Sequence, residues 1–164
     1  QVANNDATYN GFEVELLSTP MEGLDIMTGI SYTNAEVKNV IVAPNVARDV
    51  VPSFTPEWQA SALARYSWPA MSGRMSAQLS ANYQSSFFYN LRNFDAHRLD
   101  SYFMSNARIE WMDRKDRWVV SFFMNNVNDS RHTIIGFDIS SFAGSSQESY
   151  AEPRTAGASV KFTF

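Results

Sequence analysis

"MSAQLSANYQ", residues 75–84, decides how this chain is read. Met75, Ala77, Leu79, Ala81 and Tyr83 alternate with Ser76, Gln78, Ser80, Asn82 and Gln84, which is the period of a strand with one apolar and one polar face. The stretch is as long as the roughly 9–11 residues with which a tilted strand crosses a bilayer. Its polar face holds small neutral side chains rather than the charges that usually meet bulk water.

The same period extends in both directions. Upstream, Thr8–Thr19 sets Phe12, Val14 and Leu16 against Glu13 and Glu15. After "TPMEG" (19–23), a Pro- and Gly-bearing turn, Leu24–Lys38 sets Leu24, Ile26, Ile30 and Tyr32 against Asp25, Gly29, Ser31 and Thr33. A long connection from Asn39 to Ser53 leads to a strand over Trp58–Ser67, and "SWPAMSGR" (67–74) returns the chain into residues 75–84. Downstream, a second connection (Phe88–Leu99) precedes a strand over Phe103–Trp111. "DRKDR" (113–117) turns into Trp118–Asn125, and a third connection (Ser130–Glu152) leads to Ala156–Phe164. Seven strands joined alternately by short turns and long loops predict an all-β, antiparallel transmembrane meander. The competing expectation, a soluble β-sandwich, calls for strands of about five or six residues and charged outer faces.

Composition excludes several classes. Mean hydropathy is −0.28 at 45% hydrophobic residues, and no apolar run approaches the roughly 20 residues of a spanning helix. Thirteen basic and 17 acidic residues give a net charge of −4 with no basic stripe, so nucleic acid is not an expected partner. Cysteine is absent, which removes disulfides and thiolate metal sites.

In the C-terminal third, "WVVSFFMNNVND" (118–129) followed by "YAEPRTAGASVKFTF" (150–164) resembles the end of TonB-dependent outer-membrane receptors. The matching residues are Asn126, Val127 and Asp129 in the first segment, and Pro153, Arg154, Gly157 and Phe164 in the second. "NGFEVELLSTPMEGLDIMTGISYTNAEV" (10–37) looks like an earlier hairpin of the same barrels, through Gly11, Glu13, Pro20, Tyr32 and Ala35. The resemblance implies a 22-stranded barrel with a plugged lumen. Seven antiparallel strands cannot close on themselves, so residues 1–164 are expected to be the C-terminal part of such a barrel, without plug or TonB box. It further implies that Val160, Phe162 and Phe164 form the signal read by the barrel assembly machinery.

What the resemblance implies in function is TonB-energised uptake of a scarce nutrient, such as a ferric siderophore, cobalamin or an oligosaccharide, across a Gram-negative outer membrane. Partners would be outer-membrane lipid, the TonB complex acting through plug and box, the assembly machinery and a small nutrient ligand. A passive porin or other outer-membrane barrel, and a soluble carbohydrate-binding sandwich, are the alternatives.

No catalytic residue, metal set or cofactor site can be named. His97 and His132 lie in long connections without ligand spacing and are expected to be solvated loop residues; together with Asp138 they are the loop candidates for ligand contact. Glu13 and Glu15 share a face and are expected on a wet lumen wall. "SSFAGSSQES" (140–149) reads as a flexible extracellular loop. Trp68, Trp111, Trp118 and Phe164 are expected at the membrane rim beside the short turns. Trp58, Phe87, Tyr89 and Tyr102 are expected at the opposite rim.

Overall fold

The computed structural model describes residues 5–164. Its strands are β1 (Ala7–Met21), β2 (Leu24–Ala43), β3 (Val46–Val50), β4 (Trp58–Ala70), β5 (Gly73–Gln84), β6 (Phe87–Phe88), β7 (Arg98–Leu99), β8 (Tyr102–Asp113), β9 (Trp118–Asn125), β10 (Thr133–Asp138), β11 (Ser146–Tyr150) and β12 (Thr155–Phe162). A single 3-10 turn η1 (Asp95–His97) and a four-residue helix α1 (Ser140–Ala143) lie within the loops. The wall is one antiparallel sheet in the order β1-β2-β4-β5-β8-β9-β12. These are the seven strands that the alternation predicts.

Cross-strand pairing carries the two faces across the whole sheet. Val14 pairs with Ile30, Ile30 with Ala60, Ala60 with Tyr83 and Tyr83 with Phe103, so one face is apolar from β1 to β8 along this row. One step along, Glu13, Ser31, Gln59, Gln84 and Tyr102 form a polar row. Because side chains alternate across a strand, the register carries the two faces along the sheet, and the polar face also holds an apolar row of Leu17, Met27 and Leu63. The apolar face stays exposed: Phe12, Val14, Leu16, Leu79, Phe122 and Val160 are all more than half accessible. Among the described residues, the buried apolar side chains are Ala35, Val40, Val42, Val50, Phe87, Tyr89 and Leu99, and all lie at the long-loop end. No second large sheet covers the wall among the described residues, which rules out the sandwich.

Short turns close the other end. Met71 and Ser72 adopt φ of 50° and 56° between the paired Ala70 and Gly73, a two-residue turn with both central residues left-handed. The reversal thus falls inside the expected 67–74 turn, and Pro69 belongs to β4. In the charged turn, Asp113 Oδ1 accepts hydrogen bonds from the amides of Arg117 (2.6 Å) and Trp118 (2.9 Å). Gly11 shows how tightly neighbouring strands approach: a Cβ there would stand 2.2 Å from the Tyr32 carbonyl oxygen.

The long connections are more ordered than their composition suggests. β2 continues past the wall and pairs with β3 as a projecting hairpin. The Ser-rich 140–149 tract, expected to be a flexible loop, instead supplies α1 and β11, and β11 pairs with β10.

Among the described residues, β1 and β12 each pair on one side only, which leaves two rows of unpaired backbone groups and a bare apolar face. Residues 1–164 expressed alone are therefore expected to require detergent. A sharp monomeric elution with cooperative unfolding in buffer would contradict the membrane-wall reading.

Candidate functional site

Two clusters rise from the wall at the long-loop end. The first is built where β9 hands the chain to the third connection. Asn126, 2% exposed with φ of 52°, donates through Nδ2 to the carbonyls of Ser130 (2.9 Å) and Glu152 (3.0 Å), while its Oδ1 accepts from the Ser130 amide (2.8 Å). Its own amide donates to Asn106 Oδ1 (3.0 Å). An asparagine suits this position because it tolerates the left-handed region and carries both donor and acceptor. The Val127 amide donates to the Ser105 carbonyl (2.8 Å). Asp129 Oδ1 accepts from the Arg154 amide (3.2 Å), and the Arg154 guanidinium reaches the Val127 carbonyl (3.5 Å).

Asn126, Val127 and Asp129, from one turn, thus meet the distant Arg154 in one knot joining β8, β9 and the entry to β12, with Pro153 between Glu152 and Arg154. Gly157 lies further along β12, where a Cβ would stand 2.6 Å from the Phe123 ring; its bareness lets that ring lie across the strand. The sequence reading missed Asn128, which accepts from the Ser105 amide (2.9 Å) and donates to the Phe103 carbonyl (2.7 Å). Its position beside Asn126 in an Asn-rich turn was the available signal.

The second cluster is a layer of loops. Here the two histidines depart from expectation: His97 is 6% and His132 8% exposed. The loops pack on each other, and Phe87, Tyr89 and Leu99 form a small core that draws His97 in. His97 Nε2 lies 3.3 Å from Asp138 Oδ2. Asn90 Nδ2 donates to the same oxygen (3.1 Å), and the Ser140 amide donates to Oδ1 (2.9 Å). The bonds from Ser140, with His97 and Arg92 alongside, hold the Asp138 carboxyl below the usual carboxylate range. His132 stacks on Tyr102 at 3.8 Å between ring centroids, and burial lowers its pKa. Two of the three loop candidates, His97 and Asp138, are therefore in contact, while His132 stands apart.

The aromatics divide between the ends. Trp68 and Trp111 each pair with Met75, in one row of the apolar face at the short-turn end. Trp118 packs on Phe162 (4.6 Å) and Phe162 on Phe164 (5.0 Å). At the other end Trp58 joins Phe12 and Tyr32 in a triad with centroids 4.7–5.9 Å apart. Trp58 and Trp68 are about 33 Å apart along β4 at about 3.3 Å per residue, or about 25 Å of depth at a tilt of about 40°. Phe87 and Tyr89 are not rim residues: they are buried in the loop core. Tyr102 stands on the polar face, beside Glu13, Glu15 and Gln59. Phe103 and Tyr83, one step along from Tyr102 and Gln84, take the places on the apolar face.

On the polar face, Glu13 and Glu15 line a groove with Ser31, Gln59, Asn82 and Gln84. Toward the short turns, Glu110 pairs with Arg108 (2.6 Å) and Arg65 (3.9 Å), and Ser121 Oγ meets Ser159 Oγ at 2.8 Å.

Residues 1–127 match a family described as "TonB dependent receptor-like, beta-barrel". Among solved structures, the ferric yersiniabactin uptake receptor FyuA from Yersinia pestis is 18% identical with a TM-score of 0.80, over 98% of this chain and 24% of its own. The siderophore receptor PiuA from Acinetobacter baumannii is 17% identical with a TM-score of 0.75, over 96% and 22%. The ferripyoverdine receptor of the outer membrane of Pseudomonas aeruginosa is 18% identical with a TM-score of 0.68, over 96% and 20%. At these identities the likeness is one of fold, and the chain spans about a quarter or less of each receptor's length.

Proposed function

Because this chain belongs to the TonB-dependent receptor-like β-barrel family, we propose that it supplies wall and outer loops to an outer-membrane receptor that takes up a ferric siderophore with energy delivered through TonB. The observation that carries this reading is the two-sided wall. One face is continuously apolar and uncovered, the other is a band of amides, hydroxyls and paired charges, and ordered loops rise from one end. Such a wall fits lipid outside and a wet passage inside. The siderophore assignment follows the named ligands of the solved receptors that share the fold. Residues 1–164 would be the C-terminal part of that barrel, with the plug and TonB box elsewhere in the protein. The barrel assembly machinery would read β12 through Val160, Phe162 and Phe164.

Uptake by cells that depend on the intact receptor tests this directly. Iron-55 delivered as a panel of ferric siderophores is expected to enter, and entry is expected to stop when TonB is deleted or the proton gradient is collapsed. Entry that continues without TonB would make the barrel a passive channel. Failure of every ferric siderophore, with cobalamin or an oligosaccharide entering instead, would overturn the ligand class.

A further inference from the structure

The segment from Tyr89 to His97 lies between two projecting hairpins and bonds to both. On one side, Asn93 and Val51 exchange two hydrogen bonds, from the Val51 amide to Asn93 Oδ1 (2.7 Å) and from Asn93 Nδ2 to the Val51 carbonyl (2.9 Å). Arg48, in β3, donates to the carbonyls of Arg92 and Asn93 and lies 5.5 Å from the centroid of the Phe94 ring. On the other side, Asp138 of β10 receives Asn90 and His97, with Arg92 at 3.9 Å. The Tyr89 ring occupies the space where a side chain at Gly136 would stand.

Internally the segment is stiff. The Tyr89 amide donates to the His97 carbonyl (3.0 Å) and Tyr89 Oη to the Ala96 carbonyl (3.1 Å), while Asn90 Oδ1 holds the Arg92 amide (2.9 Å). Asn90 thus orders the segment through one amide atom and grips Asp138 through the other.

From this arrangement we infer that residues 89–97 are a coupling element: the β2–β3 and β10–β11 hairpins move as one body, and displacement of either is transmitted to the other through Asn93 and Asp138. A stiff segment bonded at both ends shares strain between them, and coupling between two sites is reciprocal. The inference does not depend on which ligand displaces the loops.

Hydrogen exchange on the intact receptor in detergent micelles tests it with no ligand added. Asp138→Ala is expected to speed amide exchange in 133–150 by about tenfold, as when a buried charge-assisted hydrogen bond is lost. It is also expected to speed exchange in 46–51 by about fivefold, the low end of coupling between sites. Asn93→Ala should do the reverse, with the larger effect in 46–51 and the smaller in 133–150. Exchange in β4, β5 and β8 should be unchanged in both. If Asp138→Ala does not fold, Asp138→Asn, which keeps an acceptor but loses the charge, is read in its place. Acceleration confined in each variant to the hairpin it touches would overturn the inference.

Discussion

Replacing Asn126 with alanine is expected to destabilise the folded barrel by about 3 kcal/mol. Three side-chain hydrogen bonds disappear with the amide. The carbonyls of Ser130 and Glu152 and the Ser130 amide then lack partners in a site that is nearly closed to water, where each unmade bond costs about 1 kcal/mol or more. Alanine also takes the left-handed backbone at this position less readily than asparagine does. The knot fastens β9 to the start of β12, so the loss should appear as fraying of the last strand and a lower folded fraction at equal expression. Asn126→Asp keeps the acceptor and the backbone tolerance but sets a carboxylate oxygen against the Ser130 and Glu152 carbonyls, and should cost at least as much as alanine. Urea unfolding of the intact receptor in lipid vesicles measures the difference. A loss below about 1 kcal/mol, within the range of an ordinary surface substitution, would show that the knot is not needed to hold the strand.

The second large effect concerns a residue that touches almost nothing. Leu79 is 64% exposed at the middle of β5, in the row that joins Ala64 and Ala107. In a soluble protein, Leu79→Arg at such a position would change stability little. If the face meets hydrocarbon near the bilayer midplane, the same change should cost about 2–4 kcal/mol. Asn82→Arg, on the polar face of the same strand, should cost less than about 1 kcal/mol, since lumen positions accept charge. Folding free energies of both variants in phospholipid vesicles decide the matter. Equal, small losses would show that the apolar face meets water or another protein, and the membrane reading would fail.

Where sequence reading succeeded and where it failed follows from how local each constraint is. The seven wall strands were legible because a strand's period is written in adjacent residues, and the sheet merely aligns rows that each strand already specifies: Leu79 faces Ala64 because both belong to alternating sets. The turns were legible as turns but not to the residue: 67–74 was marked as a turn, and hydrogen-bond register placed the reversal at Met71 and Ser72. The family segments were visible as motifs, but not their meeting point. Nothing between residues 126 and 152 indicates that the Asn126 amide will bond to the Glu152 carbonyl.

The loops were misread for the same reason. Ser-rich residues 140–149 carry little apolar signal of their own, yet Ser146–Tyr150 pairs with Thr133–Asp138 once the wall brings both ends of the connection together. His97 and His132 look like solvated loop residues when only their neighbours in sequence are considered. His132 is covered by Tyr102, far along the chain, and His97 by the small core of Phe87, Tyr89 and Leu99 together with the distant Asp138. The Phe87, Tyr89 and Tyr102 expectations failed because proximity to a loop does not reveal whether a ring turns into the loop core, into the polar groove or toward lipid. By itself, then, the sequence determined the strand period, the two-faced wall and the family, all of which rest on interactions between near neighbours. Only the tertiary structure decided which loops touch, which polar groups are buried and where the knot is tied, because those depend on non-local contacts whose loop-closure cost is met only after the wall has formed.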